Sequence, residues 1–345
     1  MNPFPANTVD NAQVVMASKR RSPIGRSLRM MLSSAGRRVS LMRSFRQSAD
    51  FLGVELTMLA CDLTPEWSPA CIEANRAFAA PPAESSEFIP AMLDLCKREQ
   101  IDLIVPTIDT ELLAYSEARD QFTALDCHVA VSSAKVVRMA RDKLATAHFL
   151  AAAGIHSPRT ISVDDLLAQR TDLRLPLLGK PRHGSSSRGI TMVHSHAQIS
   201  ALDTGEPYIL QEFLPGREFT VSIFLDRAGQ MRCGVPHERL RVRSGEVEKG
   251  VTVRDSELCS IAKKLAGELD GAHGALCFQA RMDANGDPSV FEINARFGGG
   301  YPLVHQAGAR FSLWMLEECL GLPRTSNDDW QSDVLMLRFD DAVFV

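Results

Sequence analysis

The segment KPRHGSSSRG at residues 180–189 has the composition of a phosphate-binding loop. An apolar run precedes Lys180, and the small residues and two glycines that follow let backbone N–H groups turn toward an anion. Arg182 and Arg188 add cationic donors. We therefore interpret this segment as a site that could hold a phosphate group.

A second segment, FEINAR at residues 291–296, carries oxygen donors with the spacing of a strand. Side chains two residues apart share one face of a strand, so Glu292 and Asn294 can bind one ion. Magnesium prefers such hard ligands and often completes its shell with water and substrate phosphates. Taken together, the two segments predict a phosphate loop and a magnesium site that act on one ligand.

The bulk composition is that of an ordinary multidomain globular protein. The chain has 345 residues, of which 45% are hydrophobic and 23% charged, enough for two or three cores. Its formal charge of −4 argues against a protein whose main role is to bind nucleic acid or an anionic membrane surface.

The eight cysteines are scattered without a Cys-x-x-Cys motif, which favours reduced thiols in the core. No stretch is long and apolar enough to span a bilayer, and residues 1–27 lack the apolar core of a secretion signal. We expect a cytoplasmic protein whose polar residues 1–27 form a flexible tail.

From residue 28 onward, strands and helices alternate, which predicts a parallel sheet covered by helices. This Rossmann-like half extends to about residue 140. The predicted strands are 29–33, 55–61, 103–105 and 128–131, and the predicted helices are 39–52, 87–100 and 110–122.

The second half is predicted to be a mixed, largely antiparallel α+β region with a cleft between two small subdomains. A helix over 143–153, capped by Asp142, leads into it, and 177–180 and 190–193 form a hairpin-like pair. Further strands are predicted at 208–214, 218–225, 231–236, 275–282 and 290–293, with a helix over 256–269.

A dinucleotide site is disfavoured although SSAGRR at 33–38 follows the first strand and Asp62 ends the second. The fingerprint needs several glycines for the turn and for close approach of the pyrophosphate, and only Gly36 is present. Arg37 and Arg38 could still meet an anion at the helix N-terminus, or the segment could be a solvated turn.

The order of five features resembles the ATP-grasp superfamily, and within it the short proteins similar to one half of the carbamoyl-phosphate synthase large chain. The features are RDK at 141–143, the loop at 180–189, QEFLPGRE at 211–218, Gln279, and EINAR at 292–296. The resemblance covers nearly everything from residue 28.

The resemblance implies an α/β plus α+β fold, in which a Rossmann-like N-terminal (pre-ATP-grasp) domain precedes a two-subdomain ATP-grasp fold. The implied divisions are a tail at 1–27, the Rossmann-like domain at 28–140, a small subdomain with the phosphate loop at 141–207, and a C-terminal subdomain with the metal site at 208–345.

The resemblance also implies a role for each matching residue in binding ATP and magnesium, or manganese. Lys143 and Lys180 would hold phosphates, Glu218 the ribose hydroxyls, and Arg296 would face the transferred phosphoryl group. The loop residues that would close over the phosphates are His183, Gly184, Ser185, Ser186, Ser187 and Gly189. The hinge residues that would meet adenine are Gln211, Glu212, Phe213 and Leu214. The metal ligands would be Gln279, Glu292 and Asn294.

Three positions depart from the pattern of many relatives. Gln279 stands where an acidic residue is common, although the carbamoyl-phosphate synthase type has glutamine, and Gln211 stands where glutamate is common. The loop at 184–187 lacks a second glycine.

Our first hypothesis for the reaction is a ligase that activates a small carboxylate as an acyl phosphate for attack by an amine. The segment HERLRVR at 237–243, with Glu246 and Lys249, could neutralise the carboxylate and orient the amine. Strand alternation predicts that its three arginines share a face, and we assign catalytic roles to Arg243, Lys249, Lys180 and Arg296.

Two alternatives remain. Bicarbonate or carbamate could be the acceptor, although the chain carries only one grasp unit, or the protein could sense ATP without turnover. We expect small-molecule substrates, no nucleic acid or membrane partner, and, from relatives, a possible homodimer. The pair His194 and His196 is predicted to lie on the surface rather than to bind a metal.

Overall fold

The computed structural model describes residues 25–164, 166, 174–184, 188–200, 202 and 206–345. Of the predicted tail at 1–27, all but the last three residues lie outside the described part. Ser185, Ser186 and Ser187 of the predicted phosphate loop also lie outside it.

The N-terminal half folds as a five-stranded, fully parallel sheet in the order β3-β2-β1-β4-β5. Its strands are β1 (Ser27–Ser33), β2 (Glu55–Asp62), β3 (Arg76–Ala79), β4 (Leu103–Pro106) and β5 (His128–Val129). Its helices are α1 (Val39–Leu52), α2 (Pro69–Glu73), α3 (Phe88–Glu99), α4 (Asp109–Glu117), α5 (Arg119–Thr123) and α6 (Ala134–Arg141). The predicted Rossmann-like sheet is confirmed.

Local chemistry explains where α1 ends. Gly53 adopts a left-handed conformation with φ of 66°, and its N–H donates to the carbonyls of Ala49 and Asp50. Glycine takes this conformation without the steric cost of a side chain, which makes it the preferred residue after a helix. The predicted end of α1 at Leu52 is therefore confirmed.

A four-stranded antiparallel sheet, in the order β6-β9-β7-β8, follows helix α7 (Lys143–Ala152). Asp142 caps α7 as predicted, because its Oδ1 accepts from the backbone N–H groups of Leu144 and Ala145. The strands are β6 (Thr160–Ser162), β7 (Leu177–Pro181), β8 (Thr191–Val193) and β9 (Tyr208–Glu212), and the short α8 (His196–Ser200) follows β8.

A six-stranded antiparallel sheet in the order β14-β13-β10-β11-β12-β15 forms the rest of the C-terminal half. Its strands are β10 (Arg217–Leu225), β11 (Met231–Arg243), β12 (Glu246–Thr252), β13 (Gly274–Met282), β14 (Pro288–Asn294) and β15 (Leu335–Leu337). The remaining helices are α9 (Ser256–Glu268), α10 (Tyr301–Gln306) and α11 (Phe311–Cys319).

Two of the hydrophobic cores join the five-stranded and six-stranded sheets. One contains Met31 and Ile104 of the parallel sheet together with Phe219 and Phe278 of the antiparallel sheet. The four-stranded sheet packs on a smaller core of its own, made of Leu166, Leu177, Val193, Ile199 and Leu210. The phosphate-loop sheet is therefore less firmly tied to the rest of the molecule.

The structure corrects some predicted boundaries. The helix predicted over 110–122 is two helices, α4 and α5, which meet at Ala118. β9 pairs with β6 and β7, so the residues from Tyr208 to Glu212 belong to the phosphate-loop sheet and not to the subdomain predicted to begin at 208.

Candidate active site

A cleft of about 530 Å³ opens where the three sheets meet. Its walls come from the turn between β4 and α4, from β7 and β9, and from one face of the six-stranded sheet. The predicted site residues that line it are Lys143, Lys180, Gly184, Gln211, Glu212, Phe213, Leu214, Glu218, Gln279, Glu292, Asn294 and Arg296. The fold therefore gathers residues that are separated by up to 153 positions in the sequence.

Two lysines bring positive charge to one wall of the cleft. Lys180 lies on β7 and is only 4% exposed, and its Nζ donates to Gln211 Oε1 at 2.8 Å. Lys143 begins α7, and its Nζ donates to the carbonyl of Gly184 in the loop. Burial lowers the pKa of Lys180 to about 8, against the opposing charge of Glu292. Burial also lowers the pKa of Lys143.

The segment from Gln211 to Leu214 forms the edge of the cleft after β9. Gln211 is buried, and its Nε2 donates to Thr160 Oγ1 at 2.8 Å while its Oε1 accepts from Lys180. Phe213 is 43% exposed and lines the cleft. This edge combines a partly exposed apolar ring with backbone polar groups.

The wall formed by the six-stranded sheet carries a charge network around Glu218 on β10. Glu218 pairs with Arg239 of β11 at 2.6 Å and with Arg281 of β13 at 2.8 Å. Arg239 is 5% exposed and also donates to Gln279 Oε1 at 2.9 Å. These contacts fix the side chains of Glu218 and Gln279 before any ligand binds.

The three predicted metal ligands lie on the neighbouring strands β13 and β14. Gln279 is the register partner of Glu292, and Asn294 is the partner of Cys277, so their side chains share one face of the sheet. The Glu292 carboxylate forms no hydrogen bond or ion pair with any residue that the structure describes. A free carboxylate flanked by two amide oxygens matches the hard oxygen ligands that Mg²⁺ prefers, so these residues fit a magnesium ion.

Arg296 is held by a residue that the sequence did not point to. Its Nε and Nη2 donate to the two carboxylate oxygens of Asp109 at 3.0 and 2.7 Å. Burial acts to raise the pKa of Asp109, but the charge and hydrogen bonds of Arg296 outweigh it and lower that pKa. Burial acts to lower the pKa of Arg296, but the charge and hydrogen bonds of Asp109 outweigh it and raise that pKa. The pair links the parallel sheet to the end of β14.

The turn that presents Asp109 is fixed by a buried carboxylate. Glu111 Oε1 accepts from the backbone N–H groups of Thr107 and Ile108 at 2.7 and 3.1 Å. Its Oε2 accepts from the hydroxyls of Ser33 and Ser34 at the end of β1. Asp109 follows the carboxyl end of a buried parallel strand, where α/β sheets bind ligands, and that position was the signal available in the sequence.

The predicted catalytic residues Arg243 and Lys249 do not line this cleft. Arg243 is exposed and pairs with Asp340 at 2.6 Å and with Glu248 at 3.3 Å, while Lys249 is exposed on β12. The register shifts between Arg239 and Arg241 and again between Arg241 and Val242, so the alternation that we expected along β11 is broken. Of the three arginines, Arg239 alone faces the cleft.

Other residues of the predicted loop serve the local structure. Arg182 pairs with Asp142 through two hydrogen bonds, at 2.8 and 2.6 Å. Gly189 has φ of 69°, and a Cβ there would lie 2.8 Å from Pro181 Cγ and from the Tyr208 hydroxyl. Gly189 and the exposed His183 lie outside the lining of the cleft.

The predicted histidine pair does not form a metal group in the described part of the chain. His194 is exposed, as predicted, and its backbone N–H donates to Gln198. Across the described ranges there is no cluster of three or more His, Cys, Asp or Glu residues that could hold a metal ion.

Two family models match the chain. One, described as "ATP-grasp in the biosynthetic pathway with Ter operon", matches residues 204–341. The other, described as "PylC-like, N-terminal domain", matches residues 30–130. Together they cover most of the parallel sheet and all of the six-stranded sheet.

Among curated proteins, phosphoribosylamine–glycine ligase of Escherichia coli K12 is 23% identical over 277 residues. The match covers 71% of this chain and 64% of that ligase, so the chain spans less than two thirds of the relative's length.

Solved structures share the fold. The ADP complex of N5-carboxyaminoimidazole ribonucleotide synthetase superposes with a TM-score of 0.68 at 16% identity, covering 90% of this chain and 81% of that one. A second solved structure is the biotin carboxylase domain of Hydrogenobacter thermophilus 2-oxoglutarate carboxylase, which contains MgADP and bicarbonate. It superposes with a TM-score of 0.72 at 15% identity, covering 89% of this chain and 73% of that one. Within the described residues, no helix has the length and apolar character needed to cross a bilayer.

Proposed function

We propose that this chain is a member of the ATP-grasp superfamily and an ATP- and magnesium-dependent ligase that joins a small carboxylic acid to an amine. The observation that carries the proposal is the convergence on one cleft of a buried lysine and a half-buried lysine, an oxygen-rich metal face and an arginine held by an ion pair. Each of these groups suits one part of a phosphoryl transfer.

The nucleotide would lie between the four-stranded sheet and the six-stranded sheet. Lys143 and Lys180 would bind its phosphates, and residues 211–214 would meet the adenine through backbone groups and the Phe213 ring. Glu218 would accept from the ribose hydroxyls, although it already binds two arginines. The solved neighbours that contain ADP and MgADP support this placement at the level of the fold.

Gln279, Glu292 and Asn294 would hold the metal. When bound, magnesium or manganese supplies positive charge to the phosphate oxygens as charge moves toward the leaving ADP. Since Glu292 is the only carboxylate of the set, we expect one tightly held ion.

The proposed reaction has two steps. A carboxylate oxygen of the acid bonds to the γ-phosphorus of ATP while the bond to the β,γ-bridging oxygen breaks, which gives an acyl phosphate and ADP. The amine nitrogen then bonds to the acyl carbon, the carbon–oxygen bond to phosphate breaks, and the amine loses a proton. Arg296, fixed by Asp109, would stabilise the phosphoryl oxygens in the first step.

We further propose a division into a Rossmann-like domain at 28–140, a phosphate-loop subdomain at 141–212, and a C-terminal subdomain at 213–345. The substrates would be small molecules. We also propose a homodimer, which the dimer of the biotin carboxylase neighbour supports by analogy.

The test is phosphate release from ATP and magnesium with amino acids supplied singly and in pairs, using Glu292→Ala as the control. The proposal predicts release that needs two substrates and disappears in the variant. Release with bicarbonate alone would instead indicate a carbamoyl-phosphate type of reaction. Nucleotide binding without turnover in any mixture would indicate a sensor.

A further inference from the structure

A second cavity of about 380 Å³ adjoins the main cleft, on the side of α1 and the C-terminal segment 338–343. The two cavities share Arg38, Glu246 and the glycines at 298 and 299, so they meet at these residues. A cavity of this size holds a molecule as large as an amino acid. Its lining includes Arg243, for which the sequence predicted a catalytic role, but the nucleotide and metal sites proposed above do not use this cavity.

Charges at this junction are not balanced. Three guanidinium groups, those of Arg38, Arg296 and Arg338, face two carboxylates. Asp109 is occupied by Arg296 through two hydrogen bonds, and Glu246 pairs with Arg338 at 2.9 Å. One positive charge is therefore left in excess among these groups.

Of these three guanidinium groups, that of Arg38 has the longest contacts. It lies 3.4 Å from Glu246 Oε1 and 3.5 Å from the carbonyl of Thr107, and its side chain is 19% exposed. A guanidinium carries five N–H donors in a fixed planar arrangement that suits a carboxylate. Burial, followed by the positive charge of Arg296, lowers the pKa of Arg38, which agrees with an incompletely compensated charge.

The second cavity also offers an acidic group. Asp341 lines it, and the one hydrogen bond of its carboxylate within the described residues comes from the backbone N–H of Ala342. Asp340, by contrast, is occupied by Arg243. The cavity can therefore receive a ligand that carries both signs of charge.

We propose that the second cavity binds the acid substrate, an α-amino acid or a carboxylic acid of similar size with a cationic group, whose carboxylate lies against Arg38. The inference rests on the proposed function, since it places the carboxylate beside Arg296, where the phosphoryl group would arrive. The body of the acid occupies the second cavity, and its ammonium group faces Asp341.

The test measures binding of each of the twenty L-amino acids to the full chain in the presence of MgADP, by saturation-transfer NMR followed by calorimetry. The variants are Arg38→Gln and Ser40→Trp. Ser40 is exposed and lines the second cavity but not the main cleft, so a tryptophan there would add bulk to the second cavity only. Arg241→Gln is the control, because Arg241 is an exposed arginine that lines neither cavity.

We expect at least one amino acid to bind the wild type. Arg38→Gln should weaken it by about 10- to 100-fold, as for loss of a charged hydrogen bond, and Ser40→Trp should weaken it in proportion to the size of the acid. MgADP affinity should stay within twofold in all three variants. Absence of amino-acid binding to the wild type, affinities unchanged by both variants, or loss of MgADP binding in Arg38→Gln would overturn the assignment.

The outcome also separates this inference from the proposed function. Amino-acid binding that depends on Arg38, without ADP formation, would leave the site standing and remove the ligase activity. ADP formation by a protein whose affinity for the acid is the same in the wild type, Arg38→Gln and Ser40→Trp would support the ligase activity and remove the proposed site.

Discussion

Lys180 shows how burial sets the chemistry of a single residue in this cleft. The side chain is nearly inaccessible, and its polar contact among the described residues is the Gln211 amide oxygen, a neutral group. A buried ammonium without a counterion held against it has a lowered pKa and gains strongly from an arriving phosphate. Because the charge of Glu292 offsets the cost of burial only in part, Lys180 is prepared to gain from a further anion.

This environment predicts a pH dependence of nucleotide binding. Because the pKa of Lys180 is lowered to about 8, the free protein loses this charge as pH rises through 8. We expect the Kd for MgADP, measured by calorimetry, to rise between pH 7 and 9.5. Lys180→Met should bind about 10- to 100-fold more weakly at pH 7 and lack this rise.

The control for this prediction is Lys263→Met, which removes an exposed lysine of α9. It should reproduce the wild-type profile. A Lys180→Met profile with the same rise as the wild type would assign the titration to another group and contradict the role of Lys180.

The ion pair of Asp109 and Arg296 makes a prediction about stability. The two side chains are only 12% and 16% exposed, and removal of one member of such a pair leaves a charge with little solvent to compensate it. Asp109→Asn should therefore lower the free energy of unfolding by about 3 kcal/mol at pH 7. Asp94→Asn, which breaks an exposed pair with Arg98, should lower it by less than about 1 kcal/mol. Urea unfolding measures both.

The sign of the pH effect follows from the lowered pKa of Asp109. A carboxyl group whose pKa is depressed in the folded state stabilises the protein at pH values above 3.8, its pKa in the unfolded chain. This contribution is lost as the pH falls through the lower pKa of the folded state. The difference in the free energy of unfolding between the wild type and Asp109→Asn should shrink as the pH is lowered from 5 toward 2. A difference that stays constant over that range would contradict the pair.

At the scale of elements, the loop between β14 and α10 depends on three consecutive glycines. A Cβ on Gly299 would lie 2.7 Å from the Glu246 carboxyl carbon, and one on Gly300 would lie 2.5 Å from His237 Nε2. His237 is fully buried, and burial lowers its pKa to about 3, so the ring is neutral at pH 7. The glycines let the loop pack directly on the sheet that carries the site.

Gly300→Ala should therefore destabilise the protein by about 1–3 kcal/mol through overpacking. Gly267→Ala is the matched control. Gly267 lies within α9, a Cβ there meets nothing within 4 Å, and alanine should stabilise the helix by about 0.5–1 kcal/mol. We expect the melting temperature to fall in Gly300→Ala and to rise in Gly267→Ala. A Gly300→Ala protein as stable as the wild type would refute the packing argument.

Local patterns in the sequence predicted most elements near the site. The strand around Glu292, the hairpin of β7 and β8, and the Asp142 cap follow from periodicity and capping chemistry, and each is confirmed. The two-residue period failed along β11, because a bulge is decided by pairing with the neighbouring strand and leaves no local signal.

The long-range contacts of the site were beyond local reasoning. Asp109 and Arg296 are 187 positions apart, and the contact of Arg338 with Glu246 joins positions 92 apart. No periodicity or cap relates such residues, so only the packing of the sheets could reveal them. The resemblance to a family supplied the cleft residues, but not the groups that hold them.

At the scale of the whole molecule, the five-stranded and six-stranded sheets share their cores, whereas the four-stranded sheet has a small core of its own. Regions with few buried apolar contacts open at lower free energy. Since Lys180 lies on the four-stranded sheet, nucleotide binding should couple directly to its opening.

Hydrogen exchange tests this expectation. Without ligand, the amides of β7 and β9 should exchange faster than those of β1 and β13, and MgADP should slow the exchange of β7 and β9 most. The amides of β1 serve as the internal control and should change little. Uniform protection of all three sheets, with or without MgADP, would show that the molecule opens as one unit.

The most direct test of the central claim is the transfer of oxygen from acid to phosphate. The chain would be incubated with ATP, magnesium and a mixture of amino acids labelled with ¹⁸O in their carboxylates, and the released phosphate analysed by mass spectrometry. Formation of an acyl phosphate predicts one ¹⁸O atom in each phosphate released. Phosphate released without label would show that water or another acceptor attacks ATP, and would contradict the proposed ligase.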